Sequence, residues 1–323
     1  MLRTGIIGYG KVGRRRHNLL KTHKSYNISG ICDIDKAVVA GCNDYKEMLN
    51  DYDLGCVFVC VPHTITTDVV VDALNHGIHV FAEKPPGCSM DDVFRMKKAL
   101  DSHPECKLLF GFNHRYHEHV QKALEIIRNG ELGELYWMRG QYGKVELEDW
   151  RSKKELGGHG ILLSQGIHMV DLMRFLSGVE FTEIQSMCSH FNGKWYEDNV
   201  FLNMRADNGI TAQMHSSSLM GKNQFHIFFG LSKGYLHLDG LISSSMSFGI
   251  PEKLSIAWKK NTKFYGNPAV LENFYGPKDI SWKIEVDNFA RIIEKDLKDY
   301  PCGIYDAVSV MKILEEVYKN DTY

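Results

Sequence analysis

One glycine pattern near the start of the chain narrows the fold more than anything else in it. Leu2 to Ile7 reads as a strand, Gly8-Tyr9-Gly10-Lys11-Val12-Gly13 follows, and Val12, Leu19 and Leu20 then fall in a helical pattern. GxGxxG has structural meaning in this strand–turn–helix setting. The first glycine permits the tight turn, the second lets the backbone approach a pyrophosphate, and the third lets helix and strand pack closely. Free N–H groups at the helix start would then face phosphates. The plain alternative is a tight turn with no ligand. Asp33 weighs against it, because it follows the apolar run Ile28-Ser29-Gly30-Ile31-Cys32 and lies 20 residues beyond Gly13. A carboxylate there accepts hydrogen bonds from an adenosine ribose and repels a 2′-phosphate. Asp also caps turns in many proteins. Asp33-Ile34-Asp35 itself holds no Arg or Lys, so NAD is favoured; Arg14-Arg15-Arg16 keeps a contact with the extra phosphate of NADP open.

Strands and helices continue to alternate for about 110 residues. Gly55 to Val61 is a near-continuous apolar run, as in a strand covered on both faces. A helix carrying Val69, Val70, Val71, Ala73 and Leu74 stops at Asn75-His76-Gly77. The strand Ile78-His79-Val80-Phe81 then runs into Ala82-Glu83-Lys84-Pro85-Pro86. Ser89-Met90-Asp91-Asp92 has the form of a capping box, with Asp in place of Glu, and Lys107 to Phe110 is a further strand. This alternation predicts a doubly wound parallel sheet. Ligands sit at the carboxyl ends of such strands, and lysine is almost never fully buried without a partner. Lys84 is therefore either a structural ion-pair member or a site residue.

From about residue 118 the pattern changes. A helix with Val120, Leu124 and Ile127 ends at Asn129-Gly130. Alternating runs follow at 135–142, 182–188, 200–205, 211–216, 225–230 and 235–239, and two helices near 283–293 and 305–318 close the chain. The fold class is α/β: a Rossmann domain over 1–117, then an α+β domain over 118–323 with a large, mostly antiparallel open sheet. A formal net charge of −2 gives no reason to expect nucleic acid or an anionic membrane as partner. No apolar run approaches the ~20 residues that span a bilayer, and the N-terminus lacks the shape of a signal peptide. The 8 cysteines are scattered, which predicts reduced thiols and a cytoplasmic protein.

Taken together these segments resemble the Gfo/Idh/MocA oxidoreductase family, that of glucose-fructose oxidoreductase and inositol dehydrogenase. The likeness rests on the glycine turn, on Glu83-Lys84-Pro85, on Gly111-Phe112-Asn113-His114-Arg115-Tyr116, and on Asp149-Trp150-Arg151 with Gly157-Gly158-His159-Gly160, Gly166-Ile167-His168 and Asp171. It covers essentially the whole chain. It implies hydride transfer between NAD(P) and a sugar or polyol carbon, with Lys84 and His168 catalytic; an imidazole titrates near neutrality. It implies cofactor contacts from Gly8, Tyr9, Gly10, Lys11, Val12, Gly13, Asp33, Pro62, His63, Glu83 and Lys84. Ser164, Gln165, Arg115, Tyr116, Trp150, Arg151 and Asp171 are the implied substrate side.

Helical spacing puts 164, 168 and 171 on one face, and Asp171 either orients His168 or pairs structurally. The chain departs from the family at Ser164, where Asp is usual and could relay a proton, and at Thr66, where His is common. The C-terminal half is similar to members that modify sugars for bacterial surface polysaccharides, which points to a nucleotide-linked or amino sugar. Inositol or free-sugar oxidation, and a silent sensor of dinucleotide and sugar, are the alternatives. A homodimer or homotetramer through the C-terminal sheet is expected. On a helix His114 and His117 share a face and His119 does not, so no metal is expected.

Overall fold

The computed structural model describes residues 1–38, 42–146, 149–243, 248, 251–259 and 269–321, with the Asp149 side chain outside them. In chain order the first elements are β1 (Leu2–Ile7), α1 (Lys11–Leu20), β2 (Tyr26–Cys32), α2 (Tyr45–Asp51), β3 (Cys56–Val59), α3 (His63–Asn75), β4 (His79–Ala82), α4 (Met90–Ser102) and β5 (Leu108–Phe110). Next come α5 (Glu118–Arg128), β6 (Leu135–Gly143), the single turn α6 (Lys154–Gly157) and α7 (Ile167–Ser177). Strands β7 (Phe181–Ser189), β8 (Asn199–Ala206), β9 (Thr211–Ser217), β10 (Gln224–Leu231), β11 (Gly234–Asp239), β12 (Glu252–Trp258) and β13 (Val270–Tyr275) follow, then α8 (Ser281–Glu294) and α9 (Ile304–Lys319). No helix among the described residues is long and apolar enough to cross a membrane.

The chain forms two compact units. The first holds Met1–Phe112, Glu155–Gly158 and Trp282–Lys312. Its sheet has the order β2-β1-β3-β4-β5, with every neighbouring pair parallel. Strands β3 and β5 are buried along their whole length, as two-sided cover requires. The strand order reverses between β1 and β3, which opens the crevice where ligands bind in such sheets. α4 starts with the expected capping box, Ser89 and Asp92 satisfying each other's backbone N–H groups.

The first unit also recruits chain from beyond residue 118. Phe58 and Phe81 stack at 5.0 Å, and Phe289 of α8 meets both edge-on at 5.6 and 5.7 Å. All three rings are fully buried, each contributing about 1.5–3 kcal/mol by leaving water. The Tyr26 hydroxyl donates to the Val286 carbonyl at 2.9 Å. At the centre lies Arg16, 0% exposed, pairing with Glu83 and with Glu285 of α8, both at 2.7 Å. Its guanidinium also stacks on Phe81 at 4.4 Å and on Trp282 at 4.1 Å. Burial opposes the charge, but the two carboxylates outweigh it and hold Arg16 more firmly protonated than a free arginine.

The second unit holds Asn113–Lys154, His159–Ser281 and Ile313–Tyr323. Its sheet has the order β13-β12-β11-β10-β6-β9-β8-β7, antiparallel except for the β6–β9 pair. The α/β class with a second, mostly antiparallel sheet is therefore as the sequence pattern predicts. Burial alternates along β8, one face inward and one outward. α7 lies close against the inner face because residue 140 is glycine: a side chain there would come within 2.7 Å of Met169 and 2.8 Å of Met173. Two strands escape the sequence pattern. β12 interleaves Glu252, Lys253 and Ser255 with its apolar residues, and β13 is a mostly exposed edge strand with no apolar face to signal it.

Arg16→Met removes the buried cation that Glu83 and Glu285 share. Removing one partner of a buried pair costs about 3–5 kcal/mol, so a loss of that order in urea unfolding is expected. Arg14→Met, at an exposed neighbour, should stay within about 0.5 kcal/mol.

Candidate active site

The nucleotide turn has a distinct steric reason for each glycine. Gly8 has φ +88°, and a Cβ there would lie 2.4 Å from the Cys60 carbonyl oxygen. At Gly13 a Cβ would lie 2.0 Å from the Gly8 carbonyl oxygen, so that residue locks helix to strand. At Gly10 a Cβ would meet nothing within 4 Å; that space is open to a ligand. Gly10 also precedes α1 without any side-chain cap, leaving the N–H groups of the first turn, Lys11 and Val12 among them, to another acceptor. Beyond β2, Asp33 accepts from the Tyr9 N–H at 2.6 Å and from the Asp35 N–H at 2.9 Å. One oxygen serves each bond, and a carboxylate's further lone pairs can take a ribose hydroxyl.

At the end of β4 the signature residues have separate tasks. Glu83 accepts from Arg16 Nε at 2.7 Å, so its carboxylate ties β4 to α1. Lys84 follows it half-buried at the carboxyl edge of the sheet, before a cis bond to Pro85. Pro62 stands at the start of α3, and the buried His63 hydrogen-bonds through Nδ1 to the Gly157 carbonyl at 2.9 Å. Thr66 is buried and donates to the Pro62 carbonyl at 3.2 Å. Arg16 is a correction to the open question over the arginine run: it is a core residue of the first unit. The signal was present, since Gly13, Arg16 and Leu20 share one helical face, and all three are buried.

In the second unit the residues expected around His168 form a buried cluster. Leu162–Gly166 is a π-helical turn leading into α7, a distortion common at functional sites. It breaks the 3.6-residue register used to align 164 with 168 and 171. Ser164 Oγ accepts from Gln165 Nε2 at 3.2 Å, and Gln165 Oε1 lies 3.3 Å from the Tyr142 hydroxyl. That hydroxyl is 3.0 Å from His114 Nε2, and the His114 ring stacks flat on His168, centroids 3.8 Å apart and 3° from parallel. His168 is 4% exposed. Burial pushes the Tyr142 hydroxyl far above its ordinary pKa, so it stays protonated. Tyr142 and His114 are site candidates that spacing did not single out, because they come from β6 and from a short 3₁₀ turn at Asn113–Tyr116.

Two of the residues expected on the substrate side pair with each other. Arg115 grips Asp171 with Nε–Oδ2 at 2.8 Å and Nη2–Oδ1 at 2.5 Å, both side chains buried. Its fork closes on a protein carboxylate, so Asp171 has a structural partner in Arg115. Tyr116 is buried beside them in sequence, at 9% exposure. Trp150 and Arg151 remain half-exposed, with the guanidinium 4.4 Å over the indole.

Residues 2–112 match the profile described as an oxidoreductase family with an NAD-binding Rossmann fold, and residues 120–237 match that of the GFO/IDH/MocA C-terminal domain. The chain belongs to the Gfo/Idh/MocA oxidoreductase family. Among curated relatives it is 26% identical over 327 residues to an uncharacterized oxidoreductase, YrbE, of Bacillus subtilis, covering 96% of this chain and 91% of that protein. It is 27% identical to the D-glucoside 3-dehydrogenase of Escherichia coli, covering 64% of this chain and 68% of that protein. With the inositol 2-dehydrogenase of Salmonella typhimurium identity is 25%, and 57% of each chain is covered. The fold is that of a levoglucosan dehydrogenase solved with NADH and levoglucosan, with a TM-score of 0.86 at 17% identity over 98% of this chain and 96% of the other.

Family membership gives the nucleotide turn its ligand, NAD. The open space at Gly10, the uncapped helix start and the fixed Asp33 carboxylate fit a dinucleotide. Support for the π-helical turn comes from Glu197, buried at 1% exposure, which accepts from the N–H groups of Gly160 at 2.9 Å and Leu162 at 3.0 Å. Burial pushes this carboxyl up to about 7, against the pull of those bonds.

Gly10→Ala should fold with an unchanged unfolding midpoint yet bind NAD at least about tenfold more weakly, which is ~1.4 kcal/mol, by fluorescence titration. Gly13→Ala should not fold stably. For Glu197 the folded carboxyl holds its proton above the unfolded range of about 4.3. Its contribution is thus full below that pH and is lost as pH rises through about 7, roughly 4 kcal/mol in all. Urea unfolding across this window should show the fall, and Glu197→Gln should flatten it.

Proposed function

We propose that this chain is an NAD-dependent dehydrogenase or ketoreductase acting on a secondary hydroxyl or keto carbon of a sugar. The observation that carries the reading is the buried cluster of His114, Tyr142, Ser164, Gln165 and His168, a set of hydrogen-bonding groups gathered about one imidazole. The bound nicotinamide supplies the hydride acceptor. His168 takes the hydroxyl proton at a ring nitrogen, and the stacked His114 holds the plane of that ring. Lys84 is the second catalytic group of this reading, an ammonium able to donate to a developing alkoxide. Ser164 and Gln165 bind neighbouring hydroxyls. Lacking the carboxylate usual at 164, the chain leaves the proton to His168. Trp150 offers an aromatic face to sugar C–H groups. Asp33 favours NAD, because its charge repels a 2′-phosphate.

The narrower setting we propose is the making of nucleotide-linked sugars for bacterial surface polysaccharides. The dehydrogenases of inositol and D-glucosides among the relatives support the rival reading of a free-sugar or polyol substrate. All eight cysteines are free, which supports a reducing cytoplasm. The outward face of the large sheet carries exposed Trp137, Met187, Phe201 and Phe228, which supports a homodimer or homotetramer through that face.

The test is nicotinamide absorbance with NAD and NADP against nucleotide-linked sugars, glycosides and inositols. Lys84→Ala and His168→Asn should each lower kcat by about 10²–10⁴ while NAD binding persists. Turnover confined to free sugars would remove the polysaccharide setting. Binding of NAD without turnover in either direction would leave a sensor instead.

A further inference from the structure

A second buried group in the second unit lies apart from the cluster above. His117 stands just before α5 with extended backbone, φ −70° and ψ 138°, His119 lies in the first turn of α5, and Glu252 opens β12. Helical spacing separates 117 from 119, but His117 is outside the helix. Its ring therefore turns back beside that of His119, centroids 5.9 Å apart. One donor atom from each of the three residues lies within 4.8 Å of the other two. Exposure is 3% for His117, 0% for His119 and 4% for Glu252.

The hydrogen bonds leave this group short of a cation. His119 Nε2 lies 3.1 Å from the Gly240 carbonyl, which can only accept, so that nitrogen carries the ring's proton. The other nitrogen of a neutral ring, Nδ1, then turns a lone pair towards Glu252 Oε2 at 3.2 Å, and it has no hydrogen-bond partner among the described residues. His117 Nδ1 lies 2.6 Å from Glu252 Oε1, which also accepts the Ile242 N–H at 2.7 Å. His117 Nε2 is likewise buried without a hydrogen-bond partner among the described residues. The ion partners of Glu252 among the described residues are these two rings alone. The buried group thus gathers a carboxylate and two ring nitrogens that have no hydrogen-bond partner among the described residues, which is costly.

We propose that His117, His119 and Glu252 bind one divalent transition-metal ion, of which zinc is the type. Two imidazoles and a carboxylate are borderline-soft donors that suit zinc, whereas magnesium and calcium prefer oxygen alone. The Gly240 carbonyl serves as the outer contact that fixes the tautomer of a ligating histidine. The ion joins the start of α5 to β12 and to the chain around Gly240–Ile242, elements more than a hundred residues apart, so its role is structural.

The test uses untagged full-length protein, treated with EDTA and then titrated with Zn²⁺ by calorimetry, with metal content read by mass spectrometry. One ion per chain at micromolar affinity or tighter is expected, with a rise of several degrees in the unfolding midpoint. Co²⁺ in its place should give visible absorption with nitrogen-ligand intensity. His119→Gln and Glu252→Gln should each weaken binding at least about tenfold, whereas His76→Gln, at an exposed histidine, should not. Failure of the untreated and the Zn²⁺-loaded wild type to hold an ion would overturn the proposal in favour of a proton shared among the three groups. So would equal affinity in the His119 variant.

Discussion

One guanidinium organises the first unit. Arg16 projects from the helix that follows the nucleotide turn and meets Glu83 at the end of β4 and Glu285 on α8. It thereby joins three elements that the sequence separates by up to 269 residues. A fully buried charge is tolerated only with close partners, so none of the three groups can shift alone. Glu83 is held by this bond, and Lys84, the next residue, inherits its placement at the sheet edge. A residue that reads as part of a basic phosphate-facing run is instead a buried cation of the core.

The second unit solves a different problem, that of holding polar side chains in a dry place. His114, Tyr142, Gln165 and Ser164 satisfy one another in sequence, and the flat stack on His114 gives His168 a fixed plane. The π-helical turn admits this arrangement by widening the helix where Ser164 and Gln165 sit. Glu197 takes up N–H groups at the start of the same turn. The polar cluster and its support are therefore distinct here: the support consists of buried carboxylates, Glu197 for the turn and Asp171 for Arg115. Residue 164 carries a hydroxyl, and the structure gives that hydroxyl an amide neighbour, not a charged one.

Local chemistry was enough to read the glycine turn, Asp33, the capping box at Ser89, the parallel sheet and six of the eight strands in the large sheet. Each depends on contacts within a few residues or on a simple period, and those are what a sequence displays. The fate of Arg16, Arg115, Asp171 and Glu83 depends on which distant carboxylate or cation arrives beside them, and no period encodes that. His114 and Tyr142 belong to different elements and meet only through packing. His117 and His119 converge because the helix begins one residue later than a helical wheel assumes, and their third member lies on β12, a strand whose polar residues hide it. Sequence thus sets the backbone's local preferences and the inventory of charges, whereas only the tertiary structure decides which charges are neutralised in the core and which are left for chemistry. The reason is physical: a buried charge takes its meaning from its nearest partner, and the nearest partner is seldom near in the chain.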